Sequence, residues 1–170
     1  MDLRRLGEAS RYPRVLGVFG GFVPAWENAV ADALPARWHG WLRARSRRGF
    51  LARDLHALGI PVPSAPVHVP WIGSEAAAWG SLYVMEGSAL GGQVITRALS
   101  AQGIPVEAGS AYFHGWGAAT GAMWREFRRL LEDELQSPDA LAQACDSACR
   151  SFDALTLLLE TALHERTAAA

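Results

Sequence analysis

Residues 74–100 read SEAAAWGSLYVMEGSALGGQVITRALS, and the reading of this stretch decides the fold. No proline interrupts it, and Leu82, Met85, Leu90, Val94 and Leu99 recur at helical intervals, which predicts a helix over Ser74 to Ser100. Its middle carries Gly87, Gly91 and Gly92. An interior glycine costs about 1 kcal/mol relative to alanine, so roughly 3 kcal/mol of helix propensity has been given up. Gly87 and Gly91 share one face, as do Ser88 and Gly92, and the strip GSALGGQ presents nearly bare backbone. Either another helix packs closely there or a flat ligand lies against it. The adjacent Gly91 and Gly92 widen the strip and permit a kink, which a planar ligand can use.

Working outward, Ser74 is a natural N-cap, and the proline-rich IPVPSAPVHVP before it reads as an extended linker. Upstream, Arg11 to about Ala33 is helical by spacing, with Leu16, Phe19, Val23, Trp26 and Val30 on one face and Pro35 closing it. Arg37 to Leu58 reads as one amphipathic helix ended by Gly59. Downstream, SAYFHGWGAATGAMWREFRRLLEDEL is weakened in its first half by Gly115 and Gly117, while its second half has the pattern of a surface helix. Ser137 and Pro138 then start a last helix whose buried face is predicted to be Leu141, Cys145, Ala148, Phe152, Leu155, Leu159 and Leu163. No strand alternation and no internal repeat are present, so the expectation is a single all-α domain spanning 1–170.

Composition excludes several classes. The chain has 170 residues, half of them hydrophobic, with a net charge of -1, which fits a compact domain with a substantial core. Nucleic acid as the main partner would leave a basic excess that is missing here. The apolar run VLGVFGGFV is shorter than the roughly 20 residues of a membrane span and is followed by a poor cleavage region, so neither a membrane anchor nor export is expected. Cys145 and Cys149 make no disulfide framework and lack the further ligands of a structural zinc site. They read as reduced thiols packed like small apolar residues in a reducing, cytoplasmic compartment.

Chemistry-bearing residues are sparse. The five histidines, His39, His56, His68, His114 and His164, form neither an H-E-x-x-H pair nor a recognisable triad. Glu160 and His164 are too widely spaced, and without a second copy, for a bundle-type di-iron site. Arg43, Arg45, Arg47, Arg48 and Arg53 read as a solvated helix face. Arg125, Arg128 and Arg129 converge on one side of a helix, which suits carboxylate or phosphate groups on a ligand or, equally, pairing with Glu126, Glu132 and Asp133.

The run LYVMEGSALGGQVITRAL, Leu82 to Leu99, resembles the distal helix of the heme oxygenases, particularly the bacterial biliverdin-forming branch found beside bacteriophytochromes. RRGFLARDLHALG, FHGWGAATGAMWREF and SFDALTLLLE extend the likeness over most of the chain. The resemblance implies an all-α heme oxygenase-like fold in which heme is sandwiched between a proximal helix and a kinked, glycine-rich distal helix. Gly87, Ser88, Gly91 and Gly92 would lie over the distal face, and Arg125 and Arg129, or Arg128 in place of the latter, would meet the heme propionates. Heme would be both cofactor and substrate. Dioxygen, with electrons from a ferredoxin or reductase-type donor, would open it to biliverdin, carbon monoxide and iron, and a bacteriophytochrome would receive the product.

Two departures accompany the likeness. Ser88 stands where many members carry an aspartate that supports the distal water network, although the phytochrome-associated branch shows similar replacements. The family's iron-ligating histidine lies on a first helix, and the opening MDLRRLGEASRYPRVLGVFGGF resembles the loop and second helix that follow it. No residue of this chain is therefore assigned as the metal ligand. Either the true start lies upstream of Met1, which the retained glycine helix and arginine fork favour, or the chain is a shortened relative with altered ligation. The alternative functions are a module that binds heme or a bilin without turnover and, behind it, a helical oxidase with a non-heme metal pair.

Overall fold

A computed structural model describes residues 11–61 and 67–164. The opening MDLRRLGEAS and residues 62–66 of the expected linker lie outside the described residues. Among the described residues seven α-helices follow one another: α1 (Arg11–Ala33), α2 (His39–Ala44), α3 (Arg48–Ala57), α4 (Glu75–Ser100), α5 (Ala111–His114), α6 (Thr120–Glu134) and α7 (Pro138–His164). Single 3-10 turns lie at Ala36–Trp38, Val106–Ala108 and Gly117–Ala119. No strand occurs among the described residues, in keeping with the all-α expectation. No helix among them is long and apolar enough to cross a membrane.

The central helix forms as its sequence predicts. The Ser74 side chain accepts the Ala77 N–H at 3.2 Å and caps α4. The helix then runs unbroken through its glycines. α7 packs along it more extensively than any other element, and α1, α5 and α6 complete its surround.

The crossing of α4 and α7 is tight. A Cβ built on Gly80 would fall 1.9 Å from the Ala144 carbonyl oxygen, so only a glycine allows the two backbones to meet there. Beside the contact, Trp26 Nε1 donates to Ser81 Oγ at 2.7 Å, and the Ser81 and Ser151 hydroxyls are 2.7 Å apart. Ser151 also accepts from Trp71 Nε1 at 2.8 Å and donates to the Ser147 carbonyl at 2.8 Å. Ser81 must then be the donor to Ser151, and the chain of bonds is satisfied from α1 through α4 to α7.

This crossing corrects part of the predicted face of α7: Leu155 is buried and Leu159 and Leu163 pack against the core as expected, but Leu141, Cys145 and Phe152 do not. Its buried residues are Ala144, Ser147, Ser151 and Leu155, whereas Leu141 is 53% and Phe152 64% exposed. Small side chains win the seam because the helix axes come close, and the larger apolar residues are turned to the flanks. Cys145 and Cys149 are exposed as well, not packed as small core residues.

One more boundary differs from expectation, and another falls where two glycines were expected to weaken the helical pattern. The single helix expected over Arg37 to Leu58 breaks between α2 and α3, where Arg45 (φ -104°, ψ 2°) and Arg47 (φ -97°, ψ 7°) leave helical geometry. Gly115 and Gly117, at φ 55° and 57°, separate α5 from α6 by adopting a backbone conformation that L-residues rarely reach.

An aromatic cluster surrounds Trp79 of α4. Trp79 is fully buried and meets Trp38 edge-on with ring centroids 5.1 Å apart, Trp41 at 5.7 Å and Phe127 at 6.2 Å. Such contacts add roughly 0.5–1.5 kcal/mol per pair beyond area burial.

Replacing Gly80 by alanine is expected to cost about 1–3 kcal/mol or more in urea unfolding, since backbone cannot move aside as a flexible side chain can. Gly91→Ala, where the added Cβ meets nothing within 4 Å, should be neutral or stabilise by up to about 1 kcal/mol. Equal effects at the two sites would contradict the packing described.

Candidate functional site

The flank that α7 leaves open holds an apolar cavity of about 520 Å3. α4 supplies one wall with Tyr83, Val84, Met85, Gly87, Ser88 and Leu90, α7 another with Phe152, Leu155, Thr156 and Leu159, and Phe19 of α1 and Trp124 of α6 close it. The size lies within the usual range for small-molecule sites, and the lining is of the usual apolar kind with few polar groups. Tyr83, Leu90 and Phe152 on its rim are 47%, 42% and 64% exposed, an unusual amount of large apolar surface to leave in water.

The four distal-helix residues singled out by sequence divide into two kinds. Gly87 and Ser88 line the cavity. A Cβ on Gly87 would lie 3.4 Å from the Trp124 ring, so the bare residue lets the indole approach the helix. Gly91, one turn on, is exposed and has open space where a side chain would be. Gly92 faces the other way: its Cβ would fall 2.2 Å from the Phe113 carbonyl oxygen, so this glycine serves the crossing of α4 with α5. Of the two readings of the strip, close helix packing holds for Gly92 and an open face for Gly91.

Arg125 and Arg129 are exposed on α6, and neither is among the residues lining the cavity. Trp124, the neighbour of Arg125, does line it. The fork is thus brought near the cavity through the chain, without a contact between the guanidinium groups and its wall. None of the residues lining the cavity is a histidine. His39 instead sits within 3.0 Å of the Ala31 carbonyl and 3.1 Å of the Leu34 carbonyl at the end of α1. Among the described residues no three His, Cys, Asp or Glu side chains group as a metal site.

The residues that sequence reasoning missed are the arginines of the α2–α3 break. Arg45 and Arg47 are buried, at 7% and 9% exposure, and are not part of a solvated face. Arg47 donates to the Met85 carbonyl at 2.7 Å and to Ser88 Oγ at 3.3 Å, and its guanidinium lies 4.9 Å from the centre of the Tyr112 ring. Ser88 in turn donates to the Met85 carbonyl at 2.7 Å. Its proton is therefore directed back to its own helix, leaving an oxygen lone pair for anything in the cavity. Arg45 bonds Glu86 at 2.6 Å and the Met123 carbonyl at 2.9 Å, and lies over the Trp41 ring at 4.6 Å. Two cations thus clamp the α4 turn that carries Gly87 and Ser88 from behind.

The electrostatics follow from burial. Desolvation raises the Glu86 carboxyl above the ordinary range and outweighs the opposing pull of Arg45 and Arg47. Asp54, on α3, is 1% exposed; its Oδ2 accepts the Tyr112 N–H at 2.7 Å, yet desolvation again prevails and raises it. Burial likewise raises the phenol of Tyr112. All three groups favour their neutral forms more than they would in water.

Comparison with known proteins places this geometry in context. The chain is 37% identical over 145 residues to a heme oxygenase of Xanthomonas campestris pv. campestris, an alignment covering 85% of this chain and 86% of that protein. Its fold matches a solved structure of the NO- and CO-bound heme oxygenase from Neisseria meningitidis with a TM-score of 0.83, covering 100% of this chain and 84% of that one at 23% identity. No protein-family model matches.

Arg47→Ala is expected to lower stability by about 1–3 kcal/mol, because a buried charged donor and its packing on Tyr112 are lost together. Arg43→Ala, on the exposed side of α2, should stay within about 0.5 kcal/mol of the parent. Equal unfolding midpoints for the two variants would show that Arg47 is no better held than a surface arginine.

Proposed function

The chain belongs to the heme oxygenase family, and we propose that its cavity receives heme and that the protein cleaves it oxidatively to biliverdin, carbon monoxide and iron. What carries this reading is the open, bare backbone of Gly91 on α4, one turn beyond Gly87 and Ser88 in the wall of a cavity of about 520 Å3 lined by apolar side chains. A flat macrocycle needs a wall of this kind, with no side chain between its plane and the helix. The cavity-lining residues suit the ring and supply no imidazole for the iron. They are accordingly assigned the distal wall alone.

Within the proposal each residue has a task. Gly91 leaves α4 open to the ring plane and Gly87 lets the Trp124 wall of the cavity close on the helix, while Met85, Phe152, Leu155 and Leu159 exclude water from the ring. Ser88, held by Arg47 and the Met85 carbonyl, offers a fixed acceptor to water or ligand at the edge of the cavity. Gly92 contributes by holding α4 against α5. Arg125 and Arg129 extend from the helix of Trp124 to pair with the propionates, their forked donors matching carboxylate geometry. Heme, once bound with dioxygen and electrons from a ferredoxin or reductase-type donor, supplies the oxidative chemistry. The phytochrome-associated branch of the family, with a bacteriophytochrome as recipient, and a single domain over 1–170 in the cytoplasm are the finer parts of the proposal.

Hemin titration followed by reduction under oxygen tests the activity. A sharp Soret band, then loss of that band with appearance of biliverdin and carbon monoxide, is expected. A Soret band that forms and survives reduction under oxygen would favour a binding module instead. For the propionate partners, the Arg125→Ala, Arg129→Ala pair should weaken hemin binding by roughly tenfold or more, each charge-assisted bond contributing about 1.5–3 kcal/mol where water is excluded and less at a wet rim. An unchanged titration midpoint would remove both residues from the site.

A further inference from the structure

A second crevice, of about 380 Å3, lies between α4, α6 and α7, and it holds the chain's two cysteines. Cys145 and Cys149 both line it, one helical turn apart on α7. Both are exposed and neither is in a disulfide. Gly80, Ala144 and Ala148 keep the floor beside them shallow, and Leu131, Leu135 and Leu141 make the remaining wall apolar. The crevice shares only Tyr83 with the larger cavity and has no part in the function proposed above.

We propose that Cys145 and Cys149 form a two-coordinate site for a soft monovalent cation of the copper(I) class. Residues four apart on a helix rise about 6 Å and bring their Cβ atoms to about 5–6 Å. A linear sulfur–metal–sulfur unit spans roughly 4–5 Å, twice a metal–thiolate bond of about 2.3 Å, and ordinary rotations about the Cα–Cβ bonds close the difference. Helical side chains lean toward the N-terminus, which carries the Cys149 thiol back over Cys145.

Coordination number selects the ion. No third His, Cys, Asp or Glu groups with the pair among the described residues, and the carboxylate between them in sequence, Asp146, bonds Arg150 Nε at 2.9 Å. Tetrahedral zinc and octahedral hard cations would remain undersupplied, whereas a soft d10 ion is content with two thiolates. Among the lining residues Tyr83 alone carries a side-chain oxygen, a hard phenol donor that a soft ion does not favour over thiolate. On binding, both thiols release their protons to solvent and two metal–sulfur bonds form, leaving a bis-thiolate centre of charge -1 with no change of oxidation state.

The test uses the full chain, reduced and kept free of oxygen, titrated with copper(I) held by the chromogenic chelator bicinchoninate. One equivalent should be withdrawn per chain, with a thiolate-to-copper band in the ultraviolet and two sulfur scatterers in X-ray absorption. Cys145→Ser and Cys149→Ser should each weaken binding by about a hundredfold or more, since one thiolate alone leaves the ion under-coordinated. Moving the second thiol round the helix, in Cys149→Ser with Arg150→Cys, should not restore it. Zinc(II) at equal concentration should leave the copper in place. Failure to withdraw copper, single variants that bind like the parent, or restoration by the displaced thiol would each overturn the proposal. Both thiols are exposed, so circular dichroism of the variants should match the parent, and their loss of binding reports the site rather than the fold.

Discussion

The contact of Gly80 with the Ala144 carbonyl is the constraint on which the rest depends. Because α4 and α7 meet backbone to backbone, the seam of α7 must be small and polar, and Ser147 and Ser151 occupy it with Ala144. The hydroxyl chain from Trp26 through Ser81 to Ser151 then replaces the packing volume that larger side chains would have supplied. A buried chain of this kind is favourable only when its members are satisfied, and the Ser81 and Ser151 hydroxyls each have a donor and an acceptor. The same close approach forces Leu141, Phe152 and the cysteines to the flanks, so both crevices follow from it.

One side of α4 is thus fixed by α7 and the other by α5, where Gly92 meets the Phe113 backbone. Between these two pinned points lies the turn of Gly87 and Ser88. Its position is set from behind by Arg45 and Arg47, whose bonds run to the Met123 and Met85 carbonyls and to Glu86. Burying two guanidinium groups is costly unless their donors are met, and carbonyls, a carboxylate and two aromatic faces meet them here. A cavity wall held in this way needs no bulky side chain on its open face. That is the condition under which Gly87 and Gly91 can stay bare without the helix losing its place.

Much of the fold was legible in the sequence because its signals are local. The Ser74 cap, the helix from Arg11 to Ala33 and the continuity of Ser74 to Ser100 rest on residues within a few positions of one another. The errors arise where distant parts of the chain decide. Hydrophobic periodicity assumes that the largest residues turn inward, and on α7 the partner's glycine reverses that preference. Nothing near Gly80 in sequence announces a helix crossing 64 residues away at Ala144. Arg47 likewise reads as surface in a run of arginines, because the Met85 and Ser88 groups that hold it are 38 and 41 residues distant.

The candidate site shows the same division within four residues. GSALGGQ was legible as a strip that something approaches, but a glycine's spacing does not say from which side. Gly92 is met by backbone at 2.2 Å, Gly87 by an indole at 3.4 Å and Gly91 by nothing within 4 Å. The sequence therefore counts three glycines where the structure distinguishes a crossing, a contact and an opening. An alanine Cβ would collide with backbone at the first and meet nothing at the last, so the chain's own packing does not account for Gly91 being a glycine. The proposed function supplies a reason for forgoing about 1 kcal/mol at a position with free space around it: the ring plane would lie against the helix there.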